Sequence, residues 1–149
     1  MAEQPIIYKR PGWFVSHVFN PIVKGLTKLG VSMAGAQTLA VKGRKSGEIR
    51  TTPVNPFELD GATYLLAPRG TTQWARNLRA VGEGELRSRK TRQFRATEVP
   101  DSEKVTLLRL YLDRWAWEAK DFLEVDADAS DEQLREIAPN HPAFRITFA

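Results

Sequence analysis

The dipeptide Asp60-Gly61, placed between the apolar alternations Phe57, Leu59 and Ala62, Tyr64, Leu66, obliges the chain to double back on itself. Both residues tolerate the positive φ that a two-residue hairpin turn demands, and the flanking period of two supplies a half-buried strand on each side. The same pattern recurs. Thr38 to Lys42, Glu48 to Val54, Glu85 to Arg89 with Gln93 to Thr97, and Phe144 to Phe148 all read as short strands. Helical spacing interrupts them. Thr71 to Arg79 reads as a short helix with Trp74 and Leu78 four apart on one face. Asp101 or Ser102 caps a longer helix carrying Leu108, Tyr111, Leu112 and Trp115 at i, i+3, i+4, i+7, and Ser130-Asp131-Glu132-Gln133 is a capping box for a last short one before Pro139. Short, mostly antiparallel strands with three or four helices predict an α+β chain, a small β-barrel with helices packed on it. No Gly-x-Gly-x-x-Gly or Walker-type loop follows a strand, so a doubly wound nucleotide-binding sheet lacks its fingerprint.

With 149 residues the chain fits one domain overall. Residues 1–34 form an N-terminal amphipathic segment expected to pack on the barrel, and residues 35–149 the barrel itself. Within the first part, Asn20 and Pro21 open a helix with Ile22, Leu26 and Leu29 on one stripe and Gly30 as its stop. The preceding stretch mixes Trp13, Phe14 and Phe19 with Lys9, Arg10 and His17, a composition suited to a membrane surface, a pocket cover or a dimer mate. Peripheral membrane contact and the oligomeric state are left open by it.

Charge locates the partner. Residues 1–100 carry a net +9 and residues 101–149 a net −5, so an anion is expected on the first two thirds. There, four of the nine residues from Lys42 to Arg50 are basic, bracketed by Gly43 and Gly47, whose conformational freedom suits a turn of backbone amides around an anion. Read from composition alone, the same segment is equally a solvated hairpin tip. The absence of cysteine excludes disulfides, thiolate metal sites and cysteine nucleophiles, and His17 and His141 without an acidic cluster argue against a metal centre. Neither a bilayer-spanning run nor a signal-peptide layout is found, which predicts a cytoplasmic protein, with membrane association only through the N-terminal segment. The run Arg87, Arg89, Lys90, Arg92 and Arg95 around Phe94 lacks a recognition motif and is read as a solvated strand face; no nucleic-acid partner is expected.

Taken together, Gly43-Arg44-Lys45-Ser46-Gly47, Arg50, Pro53, Asp60-Gly61, Tyr64-Leu65-Leu66-Ala67 and Trp74-Ala75-Arg76-Asn77-Leu78 resemble the deazaflavin-dependent nitroreductase family of actinobacteria, over roughly residues 35 to 149. The resemblance implies a split β-barrel related to FMN-binding oxidoreductases, reduced coenzyme F420 as hydride source, and quinones, nitroaromatics or activated enones as acceptors. It further implies that Arg44, Lys45 and Arg50 hold the coenzyme's phosphodiester and oligoglutamate, with Ser46 and the Gly47 amide as neutral donors. Thr52, Pro53, Ala67, Pro68, Arg69, Gly70, Trp74 and Asn77 would line the ring and its side chain, Trp74 as an aromatic wall and Asn77 as a hydrogen-bonding partner. Without the resemblance, Trp74 reads as a core residue and Asn77 as a surface one.

Two departures concern the chemistry. Pro68 stands where family members often carry Ser, so no hydroxyl is available at that place. Leu112 to Trp117 replaces a tyrosine-rich segment, which predicts a substrate wall rebuilt from Trp115 and Trp117. No general acid is assigned: Tyr64, Tyr111, His141 and solvent are the candidates. The expected function is hydride transfer from F420 to an apolar, electron-poor acceptor; the alternative is a fatty-acid or lipid carrier on the same scaffold.

Overall fold

Strand β1 (Gln37–Lys42) turns through the cationic loop into β2 (Ile49–Val54), and β3 (Phe57–Leu59) turns into β4 (Ala62–Leu66). In the second turn Asp60 and Gly61 both adopt positive φ, 53° and 81°, the conformation the dipeptide was expected to supply. Helix α1 (Gln73–Val81) follows, then the hairpin β5 (Glu83–Arg87) and β6 (Thr91–Glu98), helix α2 (Lys104–Leu123), helix α3 (Asp131–Ile137) and β7 (Ala143–Phe148). The computed structural model describes residues 35–149. The expected helix from Asn20 and the amphipathic stretch before it lie outside the described residues.

All seven strands join one sheet in the order β2-β1-β5-β6-β7-β4-β3, every neighbouring pair antiparallel, and the sheet curls into a half-barrel. Alternation then sorts the apolar side chains. Leu65 opposite Phe144, together with Leu39, Val41, Leu86 and Phe94, forms one core closed by Ala75 and Leu78 of α1. Leu66 opposite Ala143, one residue along and therefore on the other face, joins Phe57 to the stripe of α2 and to Leu134 of α3. Among the described residues β2 is an edge strand of this sheet, where Pro53, lacking an N–H, is tolerated.

Element ends differ from the expectation in instructive ways. The β5–β6 turn takes Ser88 to Lys90, placing Arg89 in the turn rather than in the strand. A 3-10 turn, Asp101–Glu103, precedes α2, and no side chain caps that helix. In its place the buried Lys104 ammonium donates to Asp101 Oδ1 at 2.7 Å and to the Ala138 carbonyl at 3.0 Å, pinning the start of α2 to the end of α3. The capping box is complete: Gln133 N–H donates to Ser130 Oγ and Ser130 N–H to Gln133 Oε1. Among the described residues no helix is long and apolar enough to cross a membrane.

Candidate functional site

The β1–β2 turn is closed from within. Gly43 N–H donates to Glu48 O at 2.7 Å, Gly47 N–H to Gly43 O at 2.9 Å, and Glu48 N–H to Ser46 Oγ at 3.1 Å. A Cβ on Gly43 would stand 2.8 Å from Ser46 Oγ, so a side chain there would push that hydroxyl off the Glu48 N–H. The amides of Gly43 and Gly47 are therefore spent inside the turn. The expected nest of backbone donors, including the Gly47 amide, is not what this loop builds; side-chain cations carry its anion chemistry.

Arg44 is fixed from across the molecule. Its backbone N–H donates to Asn77 Oδ1 at 3.1 Å, while Nη1 donates to the same oxygen at 2.8 Å and to Gln73 Oε1 at 3.0 Å. Asn77, 5% exposed on α1, thus braces both the loop and the guanidinium. Lys45 and Arg50 are exposed beside it, Arg50 reaching Glu48 only at 3.8 Å, a surface pair of small value. Asn77→Ala removes the shared acceptor and is expected to cost about 1–2 kcal/mol. Urea unfolding together with faster amide exchange at Arg44 would show it; an unchanged exchange rate would mean that the turn holds itself.

Below the turn opens a cavity of about 550 Å³, within the ordinary range for small-molecule sites. Arg44, Lys45 and Ser46 border it from the turn, Arg50, Thr52 and Pro53 from β2, Pro68 and Arg69 from the segment after β4, and Trp74 and Asn77 from α1. Ten of the twelve residues singled out in the sequence therefore face one space. Ala67 and Gly70 do not border it. Ala67 is fully enclosed, its N–H donating to Pro142 O at 2.9 Å and its carbonyl accepting from His141 Nδ1 at 3.0 Å. Gly70 takes a φ of 97° and donates to Ala67 O, so its contribution is the bend that brings Arg69 and Thr72 to the wall.

The cavity's lining is chemically mixed. The cations Arg44, Lys45 and Arg50 and the buried Asn55 and Arg69 border it together with the buried Val54, Leu66 and Tyr111. Trp74 serves both the core and the cavity, half-buried, with its ring centroid 6.1 Å from that of Phe144. The expected indole wall is absent from the site. Trp115 is packed in the second core, edge-on to Tyr111 at 4.9 Å and to Phe57 at 6.2 Å, and Trp117 is 74% exposed. Helical spacing had placed Tyr111 on the core stripe; it also borders the cavity, packed in the same core as Leu66, which lines the cavity too.

Of the three side chains weighed as proton donors, only Tyr111 touches this space. Burial, with a smaller push from the Glu118 carboxylate, raises its phenol above the ordinary value, so it stays protonated and is a weak acid. Desolvation pushes His141 down to about 4, aided by Lys104 and opposed by the Ala67 carbonyl bond and Glu124. It is neutral at physiological pH and clasps Ala67. Tyr64 stacks on Phe57 at 6.0 Å in the second core. Asn55, Thr72 and Gln73 also line the cavity without a motif that could have singled them out. Thr72 is the N-cap of α1, yet its side chain makes no capping bond and its buried Oγ1 has no hydrogen-bond partner. A working threonine cap contributes about 1 kcal/mol.

Comparison with known proteins agrees with the geometry. The family model described as F420H(2)-dependent quinone reductase matches residues 9–125. No curated protein matches the sequence. Among solved structures, the protein Atu2129, of unknown function, from Agrobacterium tumefaciens str. C58 is 19% identical with a TM-score of 0.53, over 77% of this chain and 51% of that one. This chain thus spans about half of that protein's length. A structure described as an F420-H2 dependent reductase (FDR-A) is 19% identical with a TM-score of 0.50, over 76% of this chain and 94% of that one. A third, described as a domain-swapped dimer, is 19% identical with a TM-score of 0.53, over 91% and 97%. At this identity the likeness speaks for the fold, the split β-barrel.

Proposed function

We propose, from the premise that this chain belongs to the F420H2-dependent quinone reductase family, that it binds reduced coenzyme F420 in the cavity under the β1–β2 turn and reduces an apolar quinone or a similarly activated enone or nitroaromatic. The observation that supports this reading is that cations (Arg44, Lys45, Arg50) and apolar side chains (Val54, Leu66) line one and the same cavity. A coenzyme with a planar ring and a polyanionic tail needs both. The residues present fit it: Arg44, Lys45 and Arg50 would take the anions, and Pro53, Leu66 and Trp74 would bound the ring.

When bound, the coenzyme supplies the hydride, and the protein's task is orientation and exclusion of water. Trp74, wedged against Phe144, offers a fixed flat wall. Arg44 arrives already held by Asn77 and Gln73, so binding an anion costs little further side-chain entropy. The apolar part of the lining, Val54, Leu66 and Tyr111, selects a desolvated acceptor. Among the described residues no histidine or carboxylate borders the cavity, and solvent is taken as the proton source for the reduced product.

A fluorescence titration of the protein with F420, with FMN as comparator, tests the reading. Micromolar binding of F420 without FMN binding is expected and would be followed by turnover with quinone, enone and nitroaromatic acceptors. Binding of neither would transfer the cavity to the lipid-carrier alternative, to be sought by mass spectrometry of co-purified ligands.

A further inference from the structure

We infer that Thr72 and the N-terminal turn of α1 form a second, distinct hydrogen-bond-donating subsite in the cavity, one that receives an anionic or strongly polarised oxygen of the ligand. The inference rests on the proposed cavity function and assigns chemistry to a residue between Gly70 and Trp74 that the sequence motifs did not single out.

Thr72 occupies the N-cap with extended backbone, φ −80° and ψ 173°, the geometry in which a threonine hydroxyl normally accepts from the second or third amide of the helix. Here it does not. Its Oγ1 is buried without a hydrogen-bond partner, the residue is only 9% exposed, and it borders the cavity. A protein that leaves a good cap unused and a hydroxyl unsatisfied forgoes stability twice. Rotation about the Cα–Cβ bond exchanges methyl and hydroxyl at the wall, so the group can meet a ligand oxygen without backbone movement.

The field at this place has one sign. α1 runs from Gln73 to Val81, and its first turn contains no acidic residue to offset the positive end of the helix. The Arg44 guanidinium is nevertheless held against α1 by Gln73 in its first turn and by Asn77. Cation beside positive helix end is unfavourable until an anion lies between them. Pro68, on the same cavity wall, has neither a hydroxyl nor an N–H to offer. Thr72 supplies the neutral donor that Pro68 lacks.

Two ligand oxygens share this chemistry: one carried by the coenzyme, and the one on which charge develops in a reduced carbonyl acceptor. Thr72→Val, close in shape and lacking the hydroxyl, separates them, with Thr72→Ser as the variant that keeps the donor. Without ligand, the Val variant is expected to melt at or above the wild-type temperature, because it removes an unsatisfied buried group and breaks no cap. With ligand, about tenfold weaker F420 binding assigns the coenzyme's oxygen. A similar loss of turnover with menadione at unchanged F420 affinity assigns the acceptor's, and Ser restores either. Two results would overturn the subsite: a clear fall in the melting temperature of the Val variant, which makes the hydroxyl structural, or wild-type values in both ligand measurements. Should the wild-type protein itself not bind F420, the coenzyme reading fails separately, and the subsite is judged by whether inorganic phosphate raises the melting temperature of the wild type but not of the Val variant.

Discussion

Replacing Arg44 and Lys45 together by alanine is expected to weaken F420 binding roughly 100-fold at low ionic strength, about 3 kcal/mol for two charge-assisted contacts. The two cations do not contribute alike. Arg44 is half-buried and prepositioned by three hydrogen bonds to α1, whereas Lys45 is exposed and acts as a screened point charge. Salt should therefore weaken the wild type strongly and the double variant little. Arg44→Lys alone is expected to lose most of the Arg44 share, since an ammonium cannot address Asn77, Gln73 and a phosphate in one plane. Undiminished affinity in the double variant would move the coenzyme's anions to other cations, of which Arg50 and Arg69 also line the cavity.

Acid is expected to remove roughly 3 kcal/mol of stability through a single imidazole as pH falls from 6.5 to about 4. The direction follows from burial. His141 is 1% exposed and its folded form prefers to be neutral, so the unfolded chain takes up a proton first and is favoured by it. This contribution is complete above pH 6.5, declines through that window and is gone below about 4. The ring holds the Ala67 carbonyl, and through it the bend that carries Arg69 and Thr72 to the cavity. His141→Asn retains an N–H for that carbonyl and cannot titrate. Its urea-unfolding free energy should vary less between pH 6.5 and 4 than that of the wild type; identical slopes would show that the imidazole is not the group being protonated.

Much of the fold was legible because its signals are local. Asp60-Gly61 declares a turn whatever surrounds it, Ser130 and Gln133 satisfy each other within one helical turn, and alternation along Thr38 to Lys42 needs only a buried face. The cation cluster was equally plain. What could not be read was how these groups are used. The glycines that suggested a cradle of amides spend those amides on closing the turn, and Asn77, taken for a ligand contact, accepts from Arg44 across 33 residues of sequence. Trp115 and Trp117 looked like one wall of a pocket. A kink at Trp115, with φ −136° and ψ 34°, accompanies the burial of its ring in the second core while Trp117 faces solvent.

The order of residues settled the turns, the strand and helix periods, the charge asymmetry and the identity of the cationic loop, because each depends on backbone preference or on neighbours a few positions away. Only the folded sheet decided that Leu65 and Leu66 feed different cores and that Tyr111 of a core stripe also borders the cavity. It likewise left the Thr72 hydroxyl without its helix. Such choices follow from which distant surface arrives against a side chain, and burial then sets whether a polar group is paired, neutralised or held for a ligand.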